Sequence, residues 1–450
     1  MPSLTMNNSE KLHAAQQVLL SIEKAGGQAL IVGGAVRDQV MGMDCGDIDI
    51  ATNLSLDSLG RLFPLYDVGK NKDFNIRVIR HNDLSFEVAC FRGETRHDAA
   101  GKSVGSATTT FEEDAARRDF TMNAMAMDAR GEIIDPFCGR ADIEAKLVRC
   151  VGDPKDRMAE DPLRTLRAIR FAAKFGFAVE PETALAVREI APRLSGVAVE
   201  RITEELNKMA KQPGPLFANA IQLMADFDLL KHVLPEIEAL RCLAHDPKHH
   251  PEGGVFEHTL AALRSNSLAN PVVNVAILLH DVGKAETLGE KEGCPTYYGH
   301  DQAGVAIIKA LGGRLRWSKD FTEAIAFAAE HHMLAMRLDE LRPSKRLRLV
   351  ATQHWPVLKQ VTRSDLASRG DGIDVIELEN KFTKAEVILA SQPLHPVITG
   401  KRVMELTGLP EGPEIGKIIR EVTDWAMDSS IKNRTAIESR VKTHGNIFKQ

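Results

Sequence analysis

The chain has 450 residues, of which 44% are hydrophobic and 26% are charged, and its formal net charge at pH 7 is −5. Its length allows about two to four domains, and its mildly negative charge argues against a protein coated in positive charge for nucleic-acid binding. The six cysteines are scattered singly without a CxxC pair, so neither a zinc ribbon nor a disulfide framework is predicted.

The chain shows no targeting or membrane segment. The first 30 residues lack a signal-peptide core, and no apolar run reaches the roughly 18 residues that a membrane span requires. We therefore expect a cytoplasmic protein with free thiols and no membrane partner.

In chain order, strand patterns come first and helical patterns follow. Residues 10–25 predict a short helix, and ALIVGGAVRDQVMG at 29–42 predicts a strand, a Gly-Gly turn and the start of a helix. Residues 74–91 alternate as two strands around the turn His81-Asn82-Asp83. From about residue 112 the periodicity is mainly helical, as in 162–177. The predicted fold class is α+β: a small head with a mixed sheet and helices, followed by a long all-α body.

Two carboxylates stand two residues apart in GDIDIAT, residues 46–52. In a strand, Asp47 and Asp49 share one face while Ile48 and Ile50 share the other. Two like charges so close need a cation, and carboxylate oxygens suit Mg²⁺. Glu87, in the predicted strand LSFEVACFR, could complete the set. Taken alone, a solvated edge strand explains the acid pair as well.

Three further motifs suit a nucleotide. Gly33 and Gly34 in GGAVRD let backbone N–H groups approach a phosphate closely. The stretch RRDFTMN, 117–123, offers arginines for phosphate and polar side chains for ribose. EDPLR, 160–164, opens a helix on which arginines recur every three residues, at Arg164, Arg167 and Arg170. In isolation, a solvated helix face explains that stripe equally well.

A second group of metal-ligand residue types follows the nucleotide motifs. It contains an adjacent His-Asp pair with distant histidines and a distant aspartate: His258, His280, Asp281, His300, the pair His331-His332, of which His331 is assigned as the ligand, and Asp365. Imidazole suits Ni²⁺, Co²⁺, Mn²⁺ or Zn²⁺ better than Mg²⁺. A single buried histidine is more often structural, but the ordered set predicts a metal site.

Five ordered blocks resemble the bacterial and eukaryotic class (class II) of CCA-adding tRNA nucleotidyltransferases, which have a polymerase-β-like head. The blocks are GGAVRD with DIDIAT, FEVACFR, RRDFTMNAMAMD, EDPLRTLRAIRFAAKFGF and VERITEELNKM, within about residues 28–215. The resemblance implies transfer of C, C and A from CTP and ATP to the tRNA 3′ end. It also implies that Asp47 and Asp49 hold two Mg²⁺ ions, with Glu87 as third carboxylate, and that Gly34, Arg37 and Arg118 hold the triphosphate. Asp119 and Asn123 would face the ribose. Asp161 and Arg164 would read the base edge, and Arg167 and Arg170 would contact the nucleotide.

The stretches HHPEGGVFEHTL and LLHDVGK resemble the HD domain that is fused to many proteobacterial CCA-adding enzymes, over about residues 245–370. This resemblance implies a metal-dependent phosphohydrolase site holding an ion such as Ni²⁺, Co²⁺ or Mn²⁺. His249 and His250 fit the pattern without a defined role. Together the two resemblances divide the chain into a nucleotidyltransferase head (1–150), a helical neck (151–240), an HD domain (241–370) and a helical tail (371–450). A basic cluster, Arg342, Lys345, Arg346 and Arg348, could contact tRNA phosphates or form a solvated helix face.

Three alternatives to full CCA addition stay open. The loop after Arg92, GETRHDAAGKSVGSATTTF, is poor in the basic and tyrosine residues that relatives use to switch from C to A, so a CC-only or A-only enzyme is one alternative. A bacterial poly(A) polymerase shares the head motifs but usually lacks an HD domain. A phosphohydrolase whose head only binds RNA is disfavoured by the complete set of head residues.

Overall fold

A computed structural model of the chain describes residues 8–67, 76–97, 103–107, 110–245, 253–369, 372–391 and 395–447. The chain divides into two compact units. Unit 1 comprises Met1–Glu205 with Leu223–Val233, and unit 2 comprises Leu206–Gln222 with Leu234–Gln450. The finer division at residues 150, 240 and 370 stays a prediction.

Unit 1 contains a seven-stranded mixed sheet. Its strands are β1 (Ala29–Val32), β2 (Asp49–Thr52), β3 (Leu65–Asp67), β4 (Ile76–His81), β5 (Leu84–Cys90), β8 (Ala126–Met127) and β9 (Ile133–Ile134). They lie in the order β3-β4-β5-β2-β1-β8-β9. The β2–β5 pair is parallel and the other pairs are antiparallel. Two small separate pairs complete the strands of this unit: β6 (Arg92–His97) with β7 (Ser103–Ala107), and β10 (Leu147–Val148) with β11 (Ala178–Val179).

The helices of unit 1 pack around this sheet and continue beyond it. They are α1 (Asn8–Lys24), α2 (Gly34–Val40), α3 (Leu56–Leu62), α4 (Phe111–Ala116), α5 (Gly139–Glu144), α6 (Pro154–Glu160), α7 (Leu163–Phe175), α8 (Pro181–Ile190) and α11 (Leu230–Val233). Helices α9 (Val199–Ala210) and α10 (Gly214–Asp226) each contain a boundary between the units. The predicted helix at 162–177 is confirmed as α7.

The two faces of the sheet have different cores. Ile31, Ile50 and Phe86 pack in one buried cluster with residues of α1, whereas Leu30 and Ala51 pack in the cluster on the other face. Because strand side chains alternate, Asp49 lies on the same face as Ala51 and opposite to Ile50. The sheet therefore buries one row of β2 and leaves the first carboxylate of the other row accessible.

The predicted turn between β4 and β5 is confirmed. Asn82 and Asp83 form the two-residue connection, with φ values of 50° and 60°. Positive φ at both central residues matches the right-handed twist of the flanking strands, and Asn and Asp tolerate it better than most residues. This hairpin fixes the register that places Glu87 within β5.

Unit 2 is almost entirely helical. Its remaining helices are α12 (Pro235–Glu238), α13 (Val255–Ser265), α14 (Pro271–Leu279), α15 (His300–Arg314), α16 (Lys319–Met336), α17 (Pro343–Val350), α18 (Trp355–Ala367), α19 (Gly372–Ser391), α20 (Gly400–Thr407), α21 (Pro413–Asp428) and α22 (Arg434–Ile447). One hairpin, β12 (Gly289–Lys291) with β13 (Cys294–Thr296), interrupts them. A mixed-sheet head followed by a helical body confirms the predicted α+β fold class. Within the described ranges, no helix combines the length and apolar character needed to cross a bilayer.

Candidate active sites

The carboxylates of unit 1 meet on two neighbouring strands. Asp49 begins β2 and stands directly beside Glu87 of β5, because these two residues are partners in the parallel register. Partners on adjacent strands project from the same face of a sheet about 5 Å apart. Ile48 and Ile50 are buried while Asp47, Asp49 and Glu87 reach solvent, so the alternation of apolar and acidic residues follows the sequence prediction.

One detail of the strand prediction is wrong. Asp47 does not lie on the strand, which begins at Asp49. Asp47 lies in the irregular segment before β2, where its side chain is still exposed beside that of Asp49. The three acids offer only oxygen donors, which fits Mg²⁺. In the described part of the chain, the groups of at least three donors close enough to enclose an ion both lie in unit 2, so the acids of unit 1 are not among them.

The negative charge of Asp49 is disfavoured by burial and by the neighbouring carboxylates. Desolvation by the surrounding protein raises the pKa of Asp49 to about 6, and the neighbouring Glu87 and Asp47 raise it as well, while Arg118 opposes them. The folded protein therefore binds a proton at Asp49 more tightly than the unfolded chain does, and its stability falls as the pH rises from about 4 through about 6.

We expect Asp49→Asn to stabilise the metal-free protein at pH 7–8. The amide removes the charge that is disfavoured in the folded state, and because Asp49 still reaches solvent, we expect a gain of about 1 kcal/mol rather than the full value of the pKa shift. Thermal unfolding with EDTA at pH 4.5 and pH 8 measures it. An equal effect of the substitution at both pH values would contradict this origin.

An arginine-rich cavity of about 530 Å³ lies beside these carboxylates. It is lined by two glycines, six arginines, three aspartates, Asn123 and Phe171: Gly33, Gly34, Arg37, Arg117, Arg118, Arg164, Arg167, Arg170, Asp49, Asp119 and Asp161. Among the lining residues the arginines outnumber the acids two to one. Acids behind the lining pair with four of the arginines, but six guanidinium groups around one cavity still suit a polyanion. Apart from Asp47 and Glu87, every predicted nucleotide-site residue of the head and neck lines it.

Arg117 is a cavity residue to which the sequence analysis gave no role of its own. Its pKa is lowered by burial and further by the cations Arg118 and Arg164, although Asp114 opposes this effect. The buried Nε of Arg117 lies 3.5 Å from Asp114 Oδ1, an ion pair too long for a good hydrogen bond. An incoming anion would stabilise a guanidinium that is crowded by other cations. Its position beside Arg118 in RRDFTMN could have marked Arg117 as a residue of the cavity.

Phe171 of α7 holds the arginines in place. Its ring lies 4.0 Å from the guanidinium carbon of Arg170, 5.2 Å from that of Arg37 and 5.6 Å from that of Arg167. A cation beside an aromatic ring is attracted by the ring quadrupole. Phe171 could not be predicted from the sequence, because a phenylalanine on an amphipathic helix is indistinguishable from a core residue.

Asp119 and Asn123 form the polar floor of the cavity. The buried carboxylate of Asp119 accepts hydrogen bonds from Arg167 Nε at 2.8 Å, from Asn123 Nδ2 at 3.1 Å and from the Phe120 backbone N–H at 2.8 Å. Burial alone would raise the pKa of Asp119, but Arg167 and these donors lower it below its ordinary value. Asn123 in turn accepts from Arg37 Nη1 at 2.7 Å. These contacts fix the amide of Asn123 and the charge of Asp119.

The two residues assigned to the base edge, Asp161 and Arg164, have separate anchors. Arg164 donates to the backbone oxygen of Arg157 at 2.6 Å, to Glu160 Oε2 at 2.7 Å and to the backbone oxygen of Arg117 at 3.0 Å. Asp161 is the C-cap residue of α6 and does not share any of these partners. The rest of the stripe is also anchored, since Arg170 Nε donates to Glu205 Oε2 at 2.6 Å. It is therefore not a solvated helix face.

Unit 2 brings together a buried cluster of histidines and aspartates. Among the described residues, two donor groups are close enough to hold an ion, namely His258, His280 and Asp365, and Asp281, His300 and His332. Asp281 joins them, because its Oδ2 lies 3.3 Å from His280 Nε2 and its Oδ1 lies 3.4 Å from His300 Nε2. Six residues of unit 2, spread over more than 100 positions of the chain, thus converge on one centre, which we call the HD cluster.

The histidine rings of the HD cluster are oriented by their outer nitrogens. His280, His300 and His332 each place Nδ1 at 2.7–2.8 Å from a backbone carbonyl three residues earlier. Those carbonyls can only accept, so Nδ1 carries the proton and the lone pair of Nε2 faces the cluster. The buried His280 Nε2 has no hydrogen-bond partner in the described part of the chain. Such oriented, unused imidazole nitrogens fit a transition-metal ion.

The charges of the HD cluster also fit a cation. Burial alone would raise the pKa of Asp281 and Asp365, but neighbouring His280 and Lys284 lower the first, and His258 lowers the second. Burial and His280 lower the pKa of His332 to about 4. At neutral pH the acids are ionised and His332 is neutral, which are the forms that bind metals.

The assignment of His331 needs correction. The neighbouring residue, His332, is the one in the HD cluster, while the His331 ring packs on Phe327 with centroids 4.3 Å apart. Consecutive residues on α16 point about 100° apart, so only one of the pair can face the cluster. His249, His250 and the side chains of most of the loop after Arg92 lie outside the described residues.

The sequence analysis missed two residues beside the HD cluster. Lys284 Nζ donates to Asp281 Oδ2 at 2.6 Å and lies 3.2 Å from His245 Nε2. The His245 ring packs beside that of His258 at 5.3 Å between centroids. Lys284 is the last residue of the motif LLHDVGK, which could have marked it as part of the site. No motif quoted from the sequence contains His245.

The basic cluster of α17 is partly neutralised within unit 2. Arg348 Nε donates to Asp424 Oδ1 at 2.8 Å, and Arg346 donates to the backbone oxygens of Asp339 and Leu341. Its predicted contact with tRNA phosphates stays a prediction.

Comparisons with known proteins match both the head and the HD domain. Family models match as follows: the poly A polymerase head domain at residues 29–149, the probable RNA and SrmB-binding site of polymerase A at 176–240, and the HD domain at 239–352. A multifunctional CCA protein of Pseudomonas aeruginosa is 33% identical over 407 residues, covering 86% of this chain and 95% of that protein. Another, of Halorhodospira halophila, is 38% identical over 327 residues, covering 69% of this chain and 75% of that protein.

Solved structures show the same fold. The Bacillus stearothermophilus CCA-adding enzyme in complex with CTP aligns with a TM-score of 0.73 at 25% identity, covering 97% of this chain and 98% of that one. The Thermotoga maritima CCA-adding enzyme complexed with tRNA aligns with a TM-score of 0.58 at 19% identity, covering 97% of this chain and 98% of that one, which shows the fold alone.

The head fold and its acid-lined, arginine-rich cavity define a nucleotidyltransferase. With one third of its residues identical to a multifunctional CCA protein over most of both chains, the chain belongs to the family of CCA-adding tRNA nucleotidyltransferases that carry an HD domain. The alternative of a phosphohydrolase whose head only binds RNA is wrong, and the family favours CCA addition over poly(A) synthesis.

Proposed function

We propose that the chain adds C, C and A from CTP and ATP to the 3′ end of tRNA without a nucleic-acid template. The single observation that carries this proposal is the convergence of Asp49, six arginines and the Asp161–Arg164 pair on one cavity. The CTP-bound relative of the same fold supports CTP as a substrate, and membership of the family of CCA-adding tRNA nucleotidyltransferases supports ATP and tRNA. We place the reaction in the cytoplasm, since all six cysteines are free.

We assign different parts of the nucleotide to the basic and the acidic residues of the site. The cavity arginines, Arg37 and Arg118 among them, bind the triphosphate near Gly34, and Asp119 with Asn123 faces the ribose. Asp47, Asp49 and Glu87 would hold Mg²⁺, which would stabilise the charge on the attacking and leaving oxygens. The tRNA 3′-hydroxyl attacks the α-phosphorus and pyrophosphate leaves, so the protein contributes mainly positioning and electrostatics.

Incubation of the purified protein with both CTP and ATP, one of them labelled, and three tRNAs tests the proposal. The tRNAs end before CCA, after C, and after CC. Stepwise extension of all three to CCA is expected. Arrest after CC, or extension of the CC-ending tRNA alone, would identify a CC-only or an A-only enzyme. Long A tails would identify a poly(A) polymerase.

We expect Arg164→Ala to relax base choice. Hydrogen bonds to the base edge are lost while the triphosphate remains held by the other arginines, and a good bidentate contact is worth about 1–3 kcal/mol of discrimination. The ratios of kcat/KM for CTP over UTP and for ATP over GTP measure this effect. If all four nucleotides lose activity equally, Arg164 is a phosphate-binding or folding residue instead.

We further propose that the HD cluster is a metal-dependent phosphohydrolase site for phosphomonoesters or cyclic phosphodiesters. His258, His280, Asp281, His300, His332 and Asp365 would hold one or two ions such as Ni²⁺, Co²⁺ or Mn²⁺, which would polarise the phosphate and activate water. The buried Nε2 of His280 supports a bound ion rather than a purely structural histidine. Hydrolysis of 2′,3′-cyclic nucleotides with each metal tests the proposal.

A further inference from the structure

Arg201, near the start of α9, grips the carboxylate of Asp161 with both of its terminal nitrogens. Nη2 lies 2.7 Å from Oδ2, and Nη1 lies 3.2 Å from Oδ1. The two residues are 40 positions apart in the chain, and both belong to unit 1. A planar guanidinium that meets both oxygens fixes the plane of the carboxylate as well as its position.

Stability alone does not account for this pair. The side chain of Arg201 is 51% exposed and that of Asp161 is 28% exposed. Ion pairs so open to water contribute little to the free energy of unfolding. The pair also lies at the arginine-rich cavity, since Asp161 is one of its lining residues. Its consequence is therefore the orientation of Asp161 rather than the cohesion of the fold.

The same cavity fixes Arg164 by different means. Its contacts to Glu160 and to two backbone oxygens do not involve Arg201. The two base-facing side chains are thus held independently, the donor through Glu160 and the acceptor through Arg201. Removal of Arg201 would leave the carboxylate of Asp161 with the Leu163 backbone N–H as its remaining anchor and would leave the donor fork of Arg164 in place.

We infer that Arg201 is a positioning residue for base selection, which fixes Asp161 as an oriented acceptor for the amino group of cytosine or adenine. This inference rests on the proposed role of Asp161. Cytosine and adenine present an amino donor on the pairing edge, where uracil and guanine present an oxygen. An ionised carboxylate can only accept, so it binds the amino group and repels the oxygen. Oδ1 also accepts from the Leu163 backbone N–H at 3.3 Å, so Oδ2 is the oxygen that keeps a further lone pair for the base.

Arg201→Ala in the full-length protein tests this role. We expect the kcat/KM ratios of CTP over UTP and of ATP over GTP to fall about tenfold, because an untethered carboxylate can turn away from an unfavourable base oxygen. Arg201→Lys, which keeps one charge but not the two-pronged contact, should restore part of the ratio. Arg193→Ala removes an exposed arginine outside the cavity and should leave both ratios unchanged.

Asp161→Ala, measured in parallel, distinguishes the proposed role of Arg201 from the proposed base reading by Asp161. Loss of discrimination in both Asp161→Ala and Arg201→Ala, with no further loss in the double variant, supports the inference. Loss in Asp161→Ala alone overturns the role of Arg201 and leaves the proposed function standing. Unchanged discrimination in Asp161→Ala overturns base reading by Asp161, and the role of Arg201 with it. An equal fall for all four nucleotides in Arg201→Ala would show a structural or phosphate-binding role instead.

Discussion

Asp49→Ala is expected to abolish nucleotide addition while the protein stays folded. The side chain lies on the accessible face of β2 beside Glu87, so its removal disturbs little packing but deletes a central Mg²⁺ ligand. Metal stabilisation of the transferring group is worth several kcal/mol, and about 4 kcal/mol corresponds to a rate loss of roughly a thousandfold. Incorporation of labelled CTP into a tRNA that lacks CCA, together with circular dichroism, measures both parts.

The chain offers a matched control for this substitution. Asp44 is another exposed acid of the same segment, outside the arginine-rich cavity. Asp44→Ala should therefore add nucleotides at the normal rate. Asp47→Ala should resemble Asp49→Ala even though Asp47 precedes the strand. Near-normal turnover by a folded Asp49→Ala protein would end the assignment of the metal to these acids.

The second large effect concerns the HD cluster. His332→Ala should remove metal-dependent phosphoester hydrolysis, by at least about a hundredfold, while nucleotide addition continues, because the proposed nucleotide-site residues belong to unit 1. Asp281→Asn should do the same, since Asp281 contacts histidines of both donor groups. Hydrolysis of 2′,3′-cyclic nucleotides and the bound metal per chain are the two measurements.

The matched control for His332→Ala is the same substitution at the preceding residue, His331. His331→Ala removes the same ring one position earlier and should keep both hydrolysis and bound metal, because that ring packs on Phe327 instead. Melting temperatures must accompany the assays, since His332 is fully buried. A wild-type protein that binds Ni²⁺, Co²⁺ or Mn²⁺ but hydrolyses no phosphoester would leave a structural metal site. Loss of hydrolysis in His331→Ala but not in His332→Ala would reverse our correction.

Local periodicity explains which parts of the fold could be predicted. The placement of Ile50 against Asp49 follows from strand alternation alone, and the Asn82-Asp83 hairpin follows from turn chemistry. The choice between His331 and His332 was also within reach. Ile325, Ala328 and Ala329 form a buried stripe on α16, and a 3.6-residue period carries that stripe to position 332.

Contacts between distant segments set the limit of that reasoning. Arg201 meets Asp161, and Lys284 meets His245, only because separate segments pack together. Single-residue spacing carries no information about such pairs. Phe171 is a different case, since its position on α7 was predicted, but its contacts with three guanidiniums depend on where Arg37 lies in the folded head.

The concentration of arginines around the nucleotide cavity has a consequence for turnover. The leaving pyrophosphate carries the same dense negative charge as the phosphates that the cavity attracts, so the guanidiniums that speed capture also slow departure. We therefore expect pyrophosphate to inhibit the enzyme as a product. Added pyrophosphate should compete with CTP, and the competition should weaken as ionic strength rises because salt screens both anions. A pyrophosphatase in the assay should accelerate successive additions by keeping the cavity clear.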